Sequence, residues 1–182
     1  TDTDYETCQA YMRAGARCVT HLYNAMSAFG HRAPGVAGAA IDLGGLSCGL
    51  IADGIHVHPA TMRAAFLAKR GPGAIFLVSD AMAPAGTDLK TFKLGGRLIS
   101  REAGRLTLAD GTLAGADLDL TRAVATLVGD VGIPLEAALR AATSAPAKLA
   151  GLALGSVAVG HRATMIRINA ALERAVPVRL GA

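Results

Sequence analysis

Histidine and aspartate residues follow three apolar segments of the sequence, and such side chains can bind a metal ion or transfer protons. His21 follows the first segment, His56 ends the polar run 53–56 after the second, and Asp80 follows the third. Imidazole and carboxylate groups ligate divalent metals such as Zn2+, and they are common general acids and bases. The sequence has no glycine-rich P-loop or GxGxxG motif. We therefore predict a metal or acid–base site rather than a phosphate-cradling loop.

Each of these residues also has a structural interpretation. A single histidine at a strand end is often a hydrogen-bonded structural residue, and Asp80 could cap a turn or helix that begins at Ala81. The spacing of His56 and His58 would let two imidazoles on one strand face share a metal. Pro59, however, suits the first turn of a helix, so we expect His58 to lie beyond the strand end. The recurrence of polar residues after three successive strands favours a functional cleft.

The three apolar segments are predicted to form parallel strands that place these side chains at one edge of a sheet. Short, uniformly apolar strands alternating with helices are typical of an α/β fold with a sheet buried on both faces. In such folds the carboxyl ends of the strands hold the site. We predict strands at residues 17–21, 46–51 and 74–78, helices at 3–14 and 59–69, and a long loop at 27–45 with at most one helical turn.

The pattern changes after the third strand. Short strand-like segments separated by Gly95-Gly96 and Ala103-Gly104 predict an antiparallel insertion near residues 91–110. The chain then divides into an α/β part at 1–150 and a small β part at 151–182. The remaining predictions are helices at 117–128, 135–142 and 145–149, and short strands at 157–158, 164–168 and 176–179.

Composition excludes several classes of protein. With 52% hydrophobic and 18% charged residues, the chain has enough apolar surface to form a core, which argues against disorder. The most apolar stretch, residues 46–57, is interrupted by Asp53 and His56, which argues against a membrane span. A net charge of +4 without a Lys/Arg run, and 4% aromatic residues, argue against nucleic-acid binding. The three cysteines lack CxxC spacing, which predicts free thiols and a cytoplasmic protein.

Five motifs follow one another along the chain, at residues 20–26, 34–35, 52–56, 78–86 and 111–115. In this order they resemble the motifs of the N-acetylglucosamine-6-phosphate deacetylase family of the amidohydrolase superfamily. The resemblance covers nearly the whole chain. It implies the C-terminal part of a (β/α)8 metal-dependent hydrolase barrel, about strands six to eight, followed by part of a small β domain. The length of 182 residues agrees with this, because a complete barrel needs about 250 residues.

The resemblance implies a role for each candidate residue. His21 would ligate a divalent metal, Zn2+ or alternatively Fe2+ or another ion, which lowers the pKa of a bound water. Asp80 would accept the water proton and pass it to the leaving amine. The products would be acetate and glucosamine 6-phosphate, as in amino-sugar catabolism. The other positions would bind the phosphorylated amino sugar, with an arginine on its phosphate, and the last three of them would form a loop that closes over the sugar. They are Asn24, Ala25, Arg32, His56, Leu113, Ala114 and Gly115.

The resemblance also calls for a metal-binding glutamate and a second histidine that have no counterpart in this chain. A catalytic zinc site needs about three protein ligands, so we expect the chain alone to be inactive. Because it begins at Thr1 rather than Met, we expect a processed chain or part of a longer protein. Homodimers are usual in the family. Two alternatives remain: another amidohydrolase, similar to dihydroorotases or deaminases, and a non-catalytic remnant kept as an interaction module.

Overall fold

A parallel sheet forms the framework of the first half of the chain. The computed structural model describes residues 1–160 and 164–178, and in it the first three strands pair in the order β1-β2-β3. The two pairings are parallel, with Val19 opposite Cys48 and Cys48 opposite Ile75. The predicted α/β class is confirmed, and each of the three apolar segments contains a strand, although the paired residues are fewer than the segments predicted. Their bounds are Cys18–Val19 for β1, Ser47–Leu50 for β2 and Ile75–Leu77 for β3.

Three helices occur in the segments around these strands, and side chains cap two of them. The Asp4 carboxylate accepts a hydrogen bond from the backbone N–H of Thr7 (2.7 Å), and His58 Nδ1 accepts one from that of Ala60 (3.1 Å). His58 is thus the N-cap residue of a helix and lies beyond the strand, as expected. The helices are α1 (Tyr5–Arg13), α2 (Gly35–Asp42) and α3 (Pro59–Ala68).

Helix α2 shows that the predicted loop at residues 27–45 was wrong in its second half. The helix is buried from Gly35 to Ile41, so it has no polar face and produces no amphipathic periodicity in the sequence. Its three alanines favour the helical conformation. At Gly38 an added Cβ would lie 2.5 Å from Pro34 Cβ. The glycines that suggested a loop therefore permit close packing of a helix.

A second, antiparallel sheet of four strands follows β3. Antiparallel strands occupy the segment near residues 91–110 where the insertion was predicted, and they continue to Ala116. Residues 113–115, which the resemblance assigned to a loop closing over the sugar, belong to a strand instead. They form one because Leu113 pairs with Thr107 and Ala116 pairs with Arg105. The strands are β4 (Thr91–Leu94), β5 (Arg97–Glu102), β6 (Arg105–Thr107) and β7 (Leu113–Ala116).

The rest of the chain is helical and then forms a two-stranded antiparallel sheet. The helix predicted at 117–128 begins only at Leu120, because the Asp119 carboxylate accepts the backbone N–H of Arg122 as its cap (2.8 Å). The predicted strand at 157–158 is wrong, since Val157 is 89% exposed and unpaired within the described residues. Arg179, the last residue of another predicted strand, lies outside them. The elements are α4 (Leu120–Thr126), a π-helical turn (Leu127–Val131), α5 (Leu135–Ala142), α6 (Ser144–Leu149), β8 (Ile166–Ile168) and β9 (Ala175–Pro177).

A continuous hydrophobic core joins the parallel sheet to the helices that follow the insertion. Leu50 and Cys48 of β2 pack in it with Met62 of α3 and Leu127, and Leu22 reaches it from the loop after β1. A smaller cluster lies between α1 and α2. Both clusters lie against the sheet and hold its strand ends in place. No helix in the described part of the chain is long and apolar enough to cross a membrane.

Candidate active site

The candidate residues lie after the carboxyl ends of β1, β2 and β3. His21 follows Val19 by two residues, and Asp80 follows Leu77 by three. His56 lies in the loop between β2 and α3. Because parallel strands have their carboxyl ends on the same edge, this edge of the sheet collects two imidazoles and a carboxylate.

The loop after β1 holds His21 through its neighbour Leu22. Leu22 is fully buried, and its backbone N–H donates to the carbonyl of Gly49 in β2 (2.7 Å). The His21 carbonyl in turn accepts the backbone N–H of Asn24 (2.9 Å). The peptide group between His21 and Leu22 is thus held at both its carbonyl and its N–H. Among the described residues, the buried His21 Nδ1 has no hydrogen-bond partner. Buried polar atoms in native proteins are usually satisfied, so an unpartnered imidazole nitrogen indicates a position for a ligand.

Backbone strain also concentrates at this edge. His21, Tyr23, Ala25 and Asp80 all have positive φ, between 31° and 74°. Residues other than glycine adopt this left-handed region rarely, and each such residue costs of the order of 1–3 kcal/mol. Three of them follow β1 and one follows β3, and strain of this kind clusters at functional sites.

The predicted sugar-binding positions after His21 differ in how firmly the structure holds them. The Asn24 amide donates to the carbonyl of Leu22 (3.2 Å), which orients the side chain, and Ala25 is exposed. Arg32 is exposed in the segment before α2, and within the described residues its guanidinium forms no hydrogen bond or ion pair. The structure therefore places Asn24 and Ala25 beside His21 and leaves the Arg32 side chain free to bind an anion.

His56 is held by a buried carboxylate that the sequence analysis did not assign a role. The Asp53 side chain is completely buried, and its Oδ2 lies 2.6 Å from His56 Nδ1. Its Oδ1 accepts the backbone N–H groups of Ile55 and His56, each at 2.8 Å. Burial raises the pKa of Asp53, but the hydrogen bonds from His56 and from the backbone more than offset it, so the pKa is below its usual value. The sequence signal for this pair is an aspartate three residues before a histidine in the segment that follows a strand.

We expect the lowered pKa of Asp53 to make the fold acid-sensitive. The carboxyl titrates near pH 3.9 in an unfolded chain and lower in the fold. Ionised Asp53 therefore stabilises the fold above about pH 3.9. This stabilisation is lost as the pH falls through the lower pKa of Asp53 in the folded protein, because the carboxylate then becomes protonated. In urea unfolding of the complete protein from pH 6 to pH 3, the midpoint should fall more steeply for wild type than for Asp53→Asn. Asp130→Asn, at an exposed position, should keep the wild-type slope; parallel curves for wild type and Asp53→Asn would contradict the prediction.

Asp80 is exposed and is held through its backbone. Its carbonyl accepts the N–H of Ala116 in β7 (2.9 Å), and Ala81 forms an isolated bridge to the same residue. Gly115 has φ +132°, and a Cβ there would lie 3.3 Å from the Asp80 carbonyl oxygen and 2.6 Å from Met82 Sδ. Gly115, one of the three predicted sugar-binding residues of β7, therefore borders the backbone of Asp80, and Leu113 and Ala114 precede it in the same strand.

An arginine of the insertion fastens the loop that follows Asp80. The Arg101 guanidinium forms two hydrogen bonds with the Asp117 carboxylate, each at 2.8 Å, and both side chains are largely shielded from solvent. It also donates to the carbonyl of Thr87. The Arg101 guanidinium therefore holds both Asp117 and the loop 80–90, and it joins this loop to the antiparallel sheet. This pair is not evident from the sequence because the partners are 16 residues apart.

His21 fits the role of a metal ligand, but the described residues do not complete a metal site. Its unpartnered Nδ1 offers the lone pair that a divalent ion needs. Across residues 1–160 and 164–178, however, no three His, Cys, Asp or Glu side chains are grouped so that they could hold a metal ion. His21 can therefore supply one ligand, and the others would have to come from elsewhere.

Comparison with known proteins identifies the family. The amidohydrolase family matches residues 1–178. The chain is 39% identical, over 93% of its length and 43% of the relative's, to the N-acetylgalactosamine-6-phosphate deacetylase of Shewanella sp. strain ANA-3. It is 43% identical, over 66% of its length and 30% of the relative's, to the N-acetylglucosamine-6-phosphate deacetylase of Bacillus subtilis strain 168. The crystal structure of N-acetylglucosamine-6-phosphate deacetylase from Pasteurella multocida matches 93% of this chain and 45% of its own, with 35% identity and a TM-score of 0.87.

These matches confirm the resemblance that the sequence motifs predicted. The chain spans less than half the length of each of these three relatives. The match extends through the parallel sheet, the insertion and the β8–β9 pair, so it includes every candidate residue described above. The chain therefore belongs to the amidohydrolase family.

Proposed function

We propose that the complete protein hydrolyses the N-acetyl group of N-acetylglucosamine 6-phosphate to acetate and glucosamine 6-phosphate. The observation that carries this proposal is the exposed carboxylate of Asp80, held with left-handed backbone at the same sheet edge as His21 and His56. A carboxylate in that place can take a proton and return it in one catalytic cycle. The substrate class comes from the named activities of the relatives.

In this proposal Asp80 moves the proton that amide hydrolysis requires. It accepts a proton from the water that attacks the acetyl carbonyl, and it delivers that proton to the amine nitrogen as the C–N bond breaks. His21 would be one ligand of a divalent metal, Zn2+ or alternatively Fe2+, which supplies a water of lowered pKa when it is bound. The acetyl carbon keeps the water oxygen and leaves as acetate.

The sugar phosphate would extend from Asp80 across the loop after β1. Asn24, Ala25 and His56 would contact the sugar, and Leu113, Ala114 and Gly115 of β7 would border its other side. Arg32 would bind the phosphate, because a guanidinium can donate to two oxygens at once and this one is exposed and unpaired among the described residues.

We expect Arg32→Met to impair binding of the phosphorylated substrate selectively. Hydrogen bonds to a charged group contribute about 1.5–3 kcal/mol, so KM for N-acetylglucosamine 6-phosphate should rise by about 10- to 100-fold. The KM for N-acetylglucosamine without the phosphate should stay within a factor of about two. Steady-state kinetics of the complete protein measure both values. Arg97→Met, at an exposed position of β5, serves as the control, and an equal rise for both sugars would refute the assignment.

The same proposal includes the architecture and setting of the complete protein. We infer that β1, β2 and β3 are strands six to eight of a (β/α)8 barrel, and that residues 151–182 belong to a small β domain separate from 1–150. The three cysteines are free thiols, which is in keeping with a reducing compartment, and we place the protein in the cytoplasm. We further propose a homodimer that binds a phosphorylated amino sugar and neither nucleic acid nor membrane.

Release of a primary amine by the complete protein tests the substrate. N-Acetylglucosamine 6-phosphate and its galactosamine epimer should be compared by amine release at equal concentration, each with added Zn2+ or Fe2+. Dihydroorotate, whose hydrolytic ring opening releases no primary amine, should be tested under the same conditions by chromatography of the ring-opened product. The galactosamine substrate is the second candidate because a relative with 39% identity carries that name. Hydrolysis of dihydroorotate alone would favour another amidohydrolase. No turnover of any substrate would favour the non-catalytic remnant and overturn the proposal.

We expect residues 1–182 expressed alone to lack deacetylase activity, even with added Zn2+. The described residues offer His21 as one metal ligand, whereas a catalytic zinc site needs about three. Amine release from N-acetylglucosamine 6-phosphate should equal that of a blank without protein. The complete protein, assayed beside it, is the positive control. Turnover by the purified chain at a rate comparable to the complete protein would show that this expectation is wrong.

A further inference from the structure

The Asp53 carboxylate has every oxygen directed to a specific donor. Its Oδ1 accepts the backbone N–H groups of Ile55 and His56, and its Oδ2 lies 2.6 Å from His56 Nδ1. The Asp53 side chain is 0% exposed and the His56 side chain 6% exposed. Such a carboxylate has no oxygen left for a substrate, so it can affect the reaction only through the groups that it holds, of which His56 is the one with a reactive side chain.

We propose that Asp53 is a positioning residue, which fixes His56 with its proton on Nδ1 and presents Nε2 as the ring nitrogen available to the substrate. An ionised carboxylate can only accept hydrogen bonds, so Nδ1 must be the donor in this pair. A neutral imidazole that donates through Nδ1 keeps its lone pair on Nε2. The proton position on His56 therefore follows from the bond to Asp53.

The same bond restricts the orientation of the ring. Asp53 Oδ1 ties down the backbone of Ile55 and His56, which forms a tight turn through Gly54 with φ +74°. Rotation of the imidazole about its side-chain torsions would break the contact with Oδ2. Backbone and ring are thus fixed by one buried group, as a histidine that must meet a ligand with defined geometry requires.

The proton position can be measured directly. The role in turnover rests on the proposed function, whereas the proton position of His56 does not. Two-dimensional NMR of the complete protein labelled with 15N-histidine, at pH 9, reports which ring nitrogen carries the proton; the His56→Gln spectrum assigns the signal. We expect protonated Nδ1 and unprotonated Nε2. Protonated Nε2 in the wild type would overturn the inference, and this measurement needs no substitution at Asp53.

Asp53→Asn should invert the proton position. The two backbone N–H groups hold the amide oxygen at the place of Oδ1, so the amide NH2 must face His56 Nδ1 and donate to it. The proton of the ring then moves to Nε2. Asp4→Asn is the matched control, because it alters a carboxylate that also accepts a backbone N–H but has no histidine partner. An unchanged His56 signal in Asp53→Asn would also refute the inference.

Kinetics separate positioning from a purely structural role. With N-acetylglucosamine 6-phosphate, Asp53→Asn should lower kcat/KM by about 10- to 100-fold, the range seen when a residue orienting a functional histidine is lost. In the His56→Gln background the same substitution should change kcat/KM by less than about twofold. A full additional loss in that background would show that Asp53 acts on the fold and overturn the inference. A wild type that hydrolyses nothing refutes the proposed function, while the NMR result still decides the role of Asp53.

Discussion

Replacement of Asp80 by asparagine is expected to lower kcat/KM of the complete protein for N-acetylglucosamine 6-phosphate by about 10²- to 10⁴-fold, the contribution of a general acid–base group. An amide oxygen cannot accept the water proton and later return it to the amine. The loss should fall on kcat, since the side chain moves a proton in the reaction and the other residues bind the sugar. Steady-state assays of amine release give kcat and KM separately.

The fold should tolerate this substitution. Asp80 is exposed, and its backbone carbonyl, rather than its side chain, accepts the hydrogen bond from Ala116. Its φ of +47° lies in the left-handed region, which asparagine adopts at least as readily as aspartate. The thermal midpoint of Asp80→Asn should therefore stay within about 1 °C of wild type, because surface substitutions usually change stability by less than ~0.5 kcal/mol.

A matched variant distinguishes chemistry from loss of charge. Asp88→Asn removes an exposed carboxylate from the same loop and should leave kcat within a factor of about two. If Asp80→Asn keeps wild-type kcat, or if Asp88→Asn loses as much, Asp80 is not the proton-transfer group and the reaction needs another assignment.

The sequence was sufficient to find the strand ends, because each is marked by a contrast between neighbouring residues. The apolar run that ends at Val78 is followed at once by Ser79-Asp80, and buried parallel strands leave polar residues only at their ends. That contrast is local, so no tertiary information is needed to see it. The positions of His21, His56 and Asp80 at one sheet edge follow from it directly.

Features that depend on tertiary contacts were beyond the sequence. Helix α2 was missed because a helix buried on all sides has no polar face. Strand β7 was missed because it forms only when the chain reverses and pairs with β6. The motif at 111–115 contains two glycines, and the resemblance implied a loop there. The pairing of Asp53 with His56 is different, because it is local and its spacing of three residues was a signal in the sequence, although the spacing alone does not give the geometry of the two side chains. The unpartnered Nδ1 of His21 is visible only once its surroundings are packed.

Leu22→Ala should be the most destabilising single change near the site. Leu22 is 0% exposed and inserts from the loop between His21 and Tyr23 into the main hydrophobic core. Truncating a buried leucine to alanine costs about 2–5 kcal/mol, through lost burial and the cavity that remains. We expect that decrease in the free energy of unfolding of the complete protein, measured by urea denaturation. Leu67→Ala, at a position 81% exposed on α3, should change it by less than about 0.5 kcal/mol.

The same substitution tests whether packing beneath the loop sets the place of His21. The backbone N–H of Leu22 can still donate to Gly49 in the variant, so only the side-chain anchor is removed. The strained loop, with φ +31° at His21 and +74° at Tyr23, can then relax, because strained backbone persists only where its surroundings enforce it. A displacement of about 1 Å at a reacting centre can lower the rate by about 10²-fold. Folded Leu22→Ala should therefore lose kcat well beyond the loss in Leu67→Ala; a destabilised variant with wild-type kcat would show that the hydrogen bond to Gly49 alone positions His21.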